Sequence, residues 1–303
     1  MSSEAWSDFW KSDQAEAGCG ALASRWDTIQ AAQKVVWQDF ARSLGKSARV
    51  LDLATGNGIV MGWLISARRD LKPVGVDLAP RLPAPPKGCR SMPGVAMEAL
   101  PFQDESYDAA VSQFGVEYGD LPRVLSQLAR VLKVGGKAGL ITHRGAGPIM
   151  LHNRIRRDGL RWVLDDKDVI GKARAGLALR RVGVAVPPIV AACPADARAQ
   201  FGHGSAAWEL SEAVVQTLTL GRGESDSNLL ETLKTLETKA RNEIARIDSL
   251  ERACEAVADA DRLKDLFARN GLRLDNHQRL HHTPGSHAFA DAWLLHKLAP
   301  GGR

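Results

Sequence analysis

The length, composition and charge of the chain exclude several classes of protein at once. Its 303 residues exceed the roughly 100–150 of a typical domain, so we expect one large domain or a core with an insertion. A hydrophobic fraction of 45%, a charged fraction of 25% and a net charge of +5 are ordinary for a soluble globular protein, and such a charge helps an acidic partner without demanding one.

The cysteines and the hydropathy pattern argue against a secreted or a membrane protein. The four cysteines lie far apart and form no CxxC pair, so neither a disulfide framework nor a zinc site is expected. The opening stretch MSSEAWSDFWKSD has no basic region followed by an apolar one, and no run approaches the ~18 apolar residues of a membrane span. We therefore expect a cytoplasmic protein without a membrane span.

Hydrophobic periodicity predicts alternating helices and strands over the first half of the chain. A helix over residues 25–44 ends at Gly45. After it we predict, in chain order, strand 49–54, helix 59–69, strand 72–77, a proline- and glycine-rich loop over 81–94, strand 107–113, helix 122–133 and strand 138–142. Strands that alternate with helices at this spacing indicate a parallel sheet with helices on both faces.

The pattern changes at about residue 146. Predicted helices dominate to about residue 255, and they cover residues 152–164, 172–180, 205–218 and 229–258. Helix 261–270 and strands 272–280 and 286–298 then restore the alternation. The sequence thus predicts an N-terminal helical cap (1–45), a core (46–145), a helical insertion that covers the substrate (146–258) and the end of the core (259–303), since the inserted block exceeds any ordinary connection.

The stretch VLDLATGNGIV, residues 50–60, has three interpretations. A glycine-rich turn made only for tight packing is the first. A dinucleotide site is the second, with Asp77 as the ribose-binding acid about 20 residues further on. In that fingerprint, however, the third glycine position holds Met61, and Asp52 would lie where the pyrophosphate has to lie.

The third interpretation, a site for S-adenosyl-L-methionine (SAM), accounts for both acids. SAM carries no phosphate, but it has a ribose diol and a charged ammonium group. Asp52 can attract the ammonium, Gly56 and Gly58 let a ligand lie against backbone amides, and Asp77 can accept two hydrogen bonds from the ribose. An NAD-type oxidoreductase or epimerase on the same turn remains the alternative.

Four segments, taken in order, resemble the class I SAM-dependent methyltransferases, in particular the "type 11" subgroup that includes ubiquinone and menaquinone biosynthesis enzymes. They are VLDLATGNG, VGVD, MEALPFQDESYDAAVSQFGVEY and LARVLKVGGKAGLI. The resemblance covers roughly residues 26–145 well and the last forty loosely. It implies a Rossmann-like, doubly wound α/β sheet with a helical insertion after the fifth strand and an N-terminal helical cap. It also implies SAM as the cofactor and S-adenosyl-L-homocysteine (SAH) as its product.

Two positions depart from the family pattern. Family members commonly carry, just before LPF, an Asp that binds the adenine amino group. Here that position is Ala96, so we expect backbone groups of Met97 and Glu98 to hold adenine. The family's first glycine is Ala54, which is tolerable if that residue avoids positive φ. The cofactor-binding residues implied by the resemblance are Asp52, Ala54, Gly56, Gly58, Asp77, Leu78, Met97, Glu98 and Gln113.

The methyl acceptor side carries no diagnostic motif. Methyl transfer mainly requires that the nucleophile be aimed and water excluded, and a base is needed only when the acceptor holds its proton tightly. Gln113-Phe114-Gly115 stands near the position of the N/D-P-P-F/Y motif of many amide- and amine-methylating enzymes. The catalytic candidates are His143, as a base or as a loop-bonding histidine, and Glu117 and Tyr118, which fit pocket walls better than proton carriers.

The remaining features favour a small-molecule acceptor. Trp6, Phe9 and Trp10 predict an aromatic lid or a docked terminal helix, and the insertion predicts a pocket roof or an oligomerisation surface. The basic run HNRIRRDGLRW is typical of a solvated helix face paired with acids such as Asp158 and Asp165, so nucleic acid is not expected. No metal is expected, because the spacing of the C-terminal histidines matches no regular site: His277, His281, His282 and His287.

We therefore expect SAM-dependent methyl transfer to a small hydrophobic or aromatic molecule, with oxygen favoured as the accepting atom and carbon or nitrogen possible. A methyltransferase-like protein that serves as a partner module without turnover is a further alternative. The oligomeric state is left open by the sequence.

Overall fold

This computed structural model describes residues 26–183 and 185–299, except for the side chains of Trp26, Arg181 and Val182. The predicted lid residues Trp6, Phe9 and Trp10 lie outside the described residues. The chain forms two compact units, of which the first is Met1–Leu151 with Ser249–Arg303 and the second is His152–Asp248. This division into two units does not test the predicted bounds of the cap, core and insertion, which stay predictions.

The first unit contains a seven-stranded sheet in the order β3-β2-β1-β4-β5-β7-β6. Strands β1 to β5 are parallel, whereas β7 is antiparallel to both β5 and β6. The predicted Rossmann-like α/β fold is therefore confirmed, with a mixed rather than a wholly parallel sheet. The strands are β1 (Arg49–Leu53), β2 (Lys72–Asp77), β3 (Arg90–Pro93), β4 (Tyr107–Gln113), β5 (Leu132–His143), β6 (Leu272–Leu280) and β7 (Ala290–Lys297).

Four helices accompany this sheet, and their apolar faces form its core. They are α1 (Trp26–Arg42), α2 (Ile59–Ala67), α3 (Leu121–Val131) and α9 (Ala260–Arg269). Helix α3 starts at Asp120, whose side chain accepts the backbone N–H of Arg123, and it buries Val124 and Leu128 completely. Helix α1 packs on β5 at Gly139, where an added Cβ would lie 2.9 Å from the ring of Trp37.

Three predicted elements differ from the observed ones. The predicted loop over 81–94 contains β3, because an edge strand this short carries no periodicity and tolerates a proline. The last strand starts at Ala290 rather than at residue 286, because Thr283 and Ser286 close a turn before it. Strand β5 starts at Leu132, directly after α3, six residues earlier than the predicted 138.

The second unit is entirely helical in its described residues. Its elements are α4 (Pro148–Arg161), a π-helical turn (Trp162–Asp166), α5 (Val169–Gly176), a 3-10 turn (Leu177–Val182), α6 (Pro188–Phe201), α7 (Ala206–Leu220), a 3-10 turn (Gly221–Gly223) and α8 (Asp226–Ala256). The first residues of α4 and the last residues of α8 are counted with the first unit. The sequence does not predict helix α6, because the two prolines of the VPPIV stretch are typical of a break between helices. In the structure Pro188 lies in the first turn of α6, where the backbone needs no N–H donor.

The basic run of α4 is paired within the second unit. Arg156 contacts Glu243 at 2.9 Å, and Arg157 contacts Asp248 at 2.8 Å. Both acids lie on α8, whereas the predicted partner Asp158 lies 3.7 Å from Arg157. These guanidinium groups therefore balance the charges of acids on the neighbouring helix α8.

The part of the chain that the structure describes contains neither a membrane-spanning helix nor a cluster of metal ligands. No helix there combines the length and the apolar character that a membrane crossing requires. No three or more His, Cys, Asp or Glu side chains there are grouped so that they could hold a metal ion.

Candidate functional site

The predicted site residues follow the ends of four neighbouring parallel strands. Asp77 ends β2, Asp52 lies next to last in β1, Gln113 ends β4 and His143 ends β5. Because these strands are adjacent in the order β2-β1-β4-β5, their carboxyl ends form one continuous edge. Ligands of open α/β sheets bind at this edge.

The carboxyl group of Asp52 is buried at the end of β1. Its residue is 1% exposed, and its Oδ2 accepts a hydrogen bond from Thr55 Oγ1 at 2.6 Å. No ion pair involves Asp52 among the described residues. Burial raises the pKa of Asp52 to about 7, the Thr55 hydroxyl lowers it in part, and the charge of Asp77 raises it further. A positively charged ligand group beside Asp52 would offset the cost of burying its ionised carboxylate.

Asp77 ties the end of β2 to the turn after β1. Its Oδ2 accepts the backbone N–H of Gly56 and its Oδ1 accepts that of Ala79, both at 2.9 Å. Burial raises the pKa of Asp77 above its ordinary value, while the N–H groups of Ala79 and Gly56 act against that rise. A carboxylate has about four lone-pair sites, so these two bonds leave acceptor capacity for a diol. The next residue, Leu78, is 59% exposed.

The glycine turn has left-handed backbone at three alternate positions. Gly56 and Gly58 have φ values of 53° and 76°, as the glycines suggest. Ala54 has a φ of 55°, so the condition under which an alanine is tolerable at this position is not met. The turn imposes this conformation on an alanine, and Ala54 retains strain of about 1–2 kcal/mol. A Cβ on Gly58 would lie 2.8 Å from Cδ of Pro86, so the chain itself packs against this glycine.

The segment predicted to hold adenine lies beside Asp77. The backbone N–H of Val95 donates to the carbonyl of Asp77 at 2.9 Å, which fixes the start of the segment that contains Met97 and Glu98. The Glu98 side chain is engaged elsewhere, because its Oε1 accepts the backbone N–H of Asp120 at 3.0 Å. The proposed adenine contact through backbone groups of Met97 and Glu98 stays a prediction.

The end of β4 packs against the glycine turn. Trp37 Nε1 donates to Gln113 Oε1 at 2.7 Å, so this predicted cofactor residue also holds α1. A Cβ on Gly115 would lie 2.7 Å from the Cβ of Ala54 and 2.6 Å from Oγ of Ser112. Only glycine permits this approach, and it brings the segment after β4 against the turn after β1.

The three catalytic candidates lie together. Glu117, in a 3-10 turn over Val116–Tyr118, has its Oε1 2.9 Å from both Nδ1 and the backbone N of His143. The His143 and Glu117 side chains are 1% and 0% exposed. Phe114 stacks on the His143 ring with centroids 4.0 Å apart, and the Tyr118 ring meets it edge-on at 6.0 Å.

Some contributors to this site carry no signal that sequence reasoning could use. Thr55 binds Asp52 across a turn, Pro86 closes over Gly58 from a loop, and Phe114 covers His143 with a positive φ of 55°. The contacts of Pro86 and Phe114 are tertiary, whereas Thr55 binds an acid three residues before it. The position of Thr55 inside ATGNG was the one available hint.

Comparisons with known proteins agree with this geometry. A family model described as "Methyltransferase domain" matches residues 51–140. The ubiquinone/menaquinone biosynthesis C-methyltransferase of Geobacter sp. (strain M21) is 30% identical over 145 residues, which are 42% of this chain and 62% of that protein. The malonyl-[acyl-carrier protein] O-methyltransferase of Methylococcus capsulatus is 33% identical over 134 residues, 41% of this chain and 49% of that protein.

A solved SAM-dependent methyltransferase from Aquifex aeolicus superposes with a TM-score of 0.44 at 10% identity, over 97% of this chain and 98% of that one. The chain spans between 39% and 62% of the length of the curated relatives it matches. The matched family uses SAM, so the expected cofactor is confirmed. Residues 51–140, which include Asp52 of β1 and Asp77 of β2 in the Rossmann-like sheet, thus match a methyltransferase domain.

Proposed function

We propose that this chain transfers the methyl group of SAM to a small hydrophobic or aromatic molecule, with oxygen as the favoured accepting atom. The observation that carries the proposal is Asp52, a buried carboxyl group with no cation partner among the described residues, next to a left-handed glycine turn. SAM supplies an activated methyl group on a positively charged sulfur. Its methionyl ammonium is the charge that Asp52 lacks.

The proposed cofactor contacts follow the sheet edge. Asp52 holds the ammonium, and Asp77 accepts from the ribose hydroxyls with the lone pairs left by Gly56 and Ala79. The backbone of Gly56 and Gly58 lies against the ligand. Adenine is held by the remaining proposed contacts, namely the exposed side chain of Leu78 and backbone groups of Met97 and Glu98.

The dinucleotide alternative fits this site poorly. A pyrophosphate in the glycine turn would lie against the Asp52 carboxyl group, and two like charges in a buried site repel strongly. The third glycine of the dinucleotide fingerprint is replaced by Met61, which is fully buried. Both facts favour a cationic ligand over an anionic one.

The relatives have acceptors of more than one kind. One is named a ubiquinone/menaquinone biosynthesis C-methyltransferase and another a malonyl-[acyl-carrier protein] O-methyltransferase. For this chain, the aromatic groups around His143 favour a flat or apolar acceptor, since Phe114 and Tyr118 line the end of β5.

Ligand binding and turnover test the proposal. Thermal shift and calorimetry should show that SAM and SAH bind and raise the melting temperature, whereas NAD does neither. A protein stabilised by NAD and unaffected by SAM and SAH would contradict the proposal. Transfer of label from [methyl-³H]SAM to aromatic hydroxyl compounds should follow, and SAH binding without transfer to any acceptor would instead indicate a partner module.

A further inference from the structure

Two buried polar atoms at the end of β5 have no hydrogen-bond partner among the described residues. They are Nε2 of His143 and Oε2 of Glu117. Buried polar atoms in proteins are paired in the great majority of cases, so an unpaired one requires an explanation. Here the two belong to side chains that already contact each other through their other atoms.

The contact between these side chains fixes where the proton of a neutral imidazole lies. Glu117 Oε1 accepts the backbone N–H of His143 at 2.9 Å, so this oxygen stands in place as an acceptor. The same oxygen lies 2.9 Å from Nδ1, which therefore carries the ring proton. Nε2 is then left with a free lone pair, which is the state of a proton acceptor.

The His143–Glu117 pair lies close to the proposed cofactor turn. The residues from Gln113 to Glu117 run from the end of β4 to the pair, and in their middle Gly115 packs against Ala54 of the glycine turn. Phe114 of the same segment covers one face of the His143 ring. Its φ of 55° is strained for a non-glycine residue, and such strain concentrates at functional sites.

We infer that His143 is the general base of the methyl transfer and that Glu117 is its positioning residue. This inference rests on the proposed function and narrows the acceptor to a molecule that loses a proton on methylation, namely an alcohol or phenol. As the acceptor oxygen forms its bond to the methyl carbon, the carbon–sulfur bond breaks with its electron pair left on sulfur, and the hydroxyl proton passes to Nε2. His143 later releases that proton to solvent.

A buried ion pair is the competing role for the same contact. In that role the ring carries protons on both nitrogens and balances the charge of Glu117. Such a ring has no lone pair and cannot accept a proton from a substrate. The number and the position of the ring protons therefore distinguish a base from a structural ion pair.

Nuclear magnetic resonance of ring-¹⁵N-labelled histidine measures this directly in the full chain. His143 is assigned with the variant H143Q, and spectra are taken at pH 8 in the complex with SAH. The expected result is a neutral His143 with the proton on Nδ1 and an unprotonated Nε2. A doubly protonated ring, or a proton on Nε2, overturns the inference.

Two variants test the positioning role of Glu117. E117Q keeps one side-chain oxygen. The backbone N–H of His143 orients that oxygen toward itself, so the oxygen still accepts from Nδ1 and the proton should stay on Nδ1. E117L removes that oxygen, so a measurable share of the proton should move to Nε2. Identical proton positions in wild type and E117L overturn the role of Glu117. Calorimetry with SAH on the wild-type samples tests the proposed function separately, because a protein that does not bind SAH fails that proposal whatever the state of His143.

Discussion

The Oδ2 atom of Asp77 accepts the backbone N–H of Gly56 at 2.9 Å, and this bond joins the end of β2 to the turn that follows β1. The carboxylate that we assign to the ribose is thus also part of the scaffold of the glycine turn. A ligand that binds the Asp77 carboxylate therefore also affects the position of the glycine turn.

Replacement of this carboxylate should weaken SAM binding strongly. Asp77→Ala removes the charged acceptor of the ribose hydroxyls and the bonds to Gly56 and Ala79. A hydrogen bond to a charged group is worth about 1.5–3 kcal/mol, so the Kd for SAM should rise roughly 10-fold or more. Calorimetry measures the affinity, with Asp70→Ala, in a surface pair with Arg68, as the control. Unchanged affinity in D77A would contradict the ribose assignment.

SAM binding should release a proton from Asp52. In the ligand-free protein the pKa of Asp52 is raised to about 7, so at pH 7 about half of the molecules carry a protonated carboxyl group. An ammonium beside it favours the ionised form, so binding expels that proton. Affinity should then fall by up to tenfold for each unit of pH below 7. Calorimetry in buffers of different ionisation enthalpy counts the released protons.

The variant D52N provides the control for that experiment. It cannot ionise at this position, so it should bind SAM weakly and without proton release. Proton release of equal size in D52N and wild type would show that another group is responsible.

The same carboxyl group should destabilise the ligand-free protein as the pH rises from about 4 to about 7. Its pKa is raised from 3.8 to about 7 by burial, so between these values the folded state binds more protons than the unfolded state. Stability therefore falls as pH rises through this window, by about 1.4 kcal/mol per unit. D52N lacks this loss. The free energy of unfolding of D52N minus that of wild type should therefore be about 2–3 kcal/mol larger at pH 8 than at pH 5. Urea denaturation at both values measures the difference, and a constant difference would refute the expectation.

Gly58 should tolerate a methyl group less well than a glycine of similar backbone elsewhere. Gly58→Ala places a Cβ 2.8 Å from Pro86 at a φ of 76°, whereas Gly135→Ala meets no atom within 4 Å at a φ of 73°. Both variants acquire backbone strain of about 1–2 kcal/mol, and only G58A adds the clash. Thermal denaturation should therefore rank G58A below G135A. The double variant G58A/P86A should recover part of the loss, and equal melting temperatures for G58A and G135A would exclude the clash.

His143 should matter for oxygen acceptors in particular. His143→Gln removes the proposed base, so kcat for an alcohol or phenol should fall roughly 10²- to 10⁴-fold. A thiol of similar shape, already ionised at pH 9, should lose much less, because it gives up no proton in the reaction. SAM affinity should stay unchanged in both assays. An equal loss for oxygen and sulfur acceptors would point to a structural role for His143.

The strand-end acids were predictable because they depend on local patterns. VLDLATGNG and VGVD each join an apolar run to an acid, and parallel strands bring Asp52 and Asp77 to one edge without further information. The pairing of Glu117 with His143 was not predictable, because 26 residues separate two side chains on different elements. The same holds for β3, a four-residue edge strand with no periodicity, and for Pro86 over Gly58.

The unbalanced charge of Asp52 has a consequence for the fate of the protein in a cell. A fold that contains an acid awaiting its counter-ion is weakest when the cofactor is scarce. Each tenfold rise of free SAM above its Kd adds about 1.4 kcal/mol to folding. Under the proposed function, depletion of the methyl donor would therefore shorten the lifetime of the polypeptide against proteolysis, so that supply of the donor would govern how much of the protein is present.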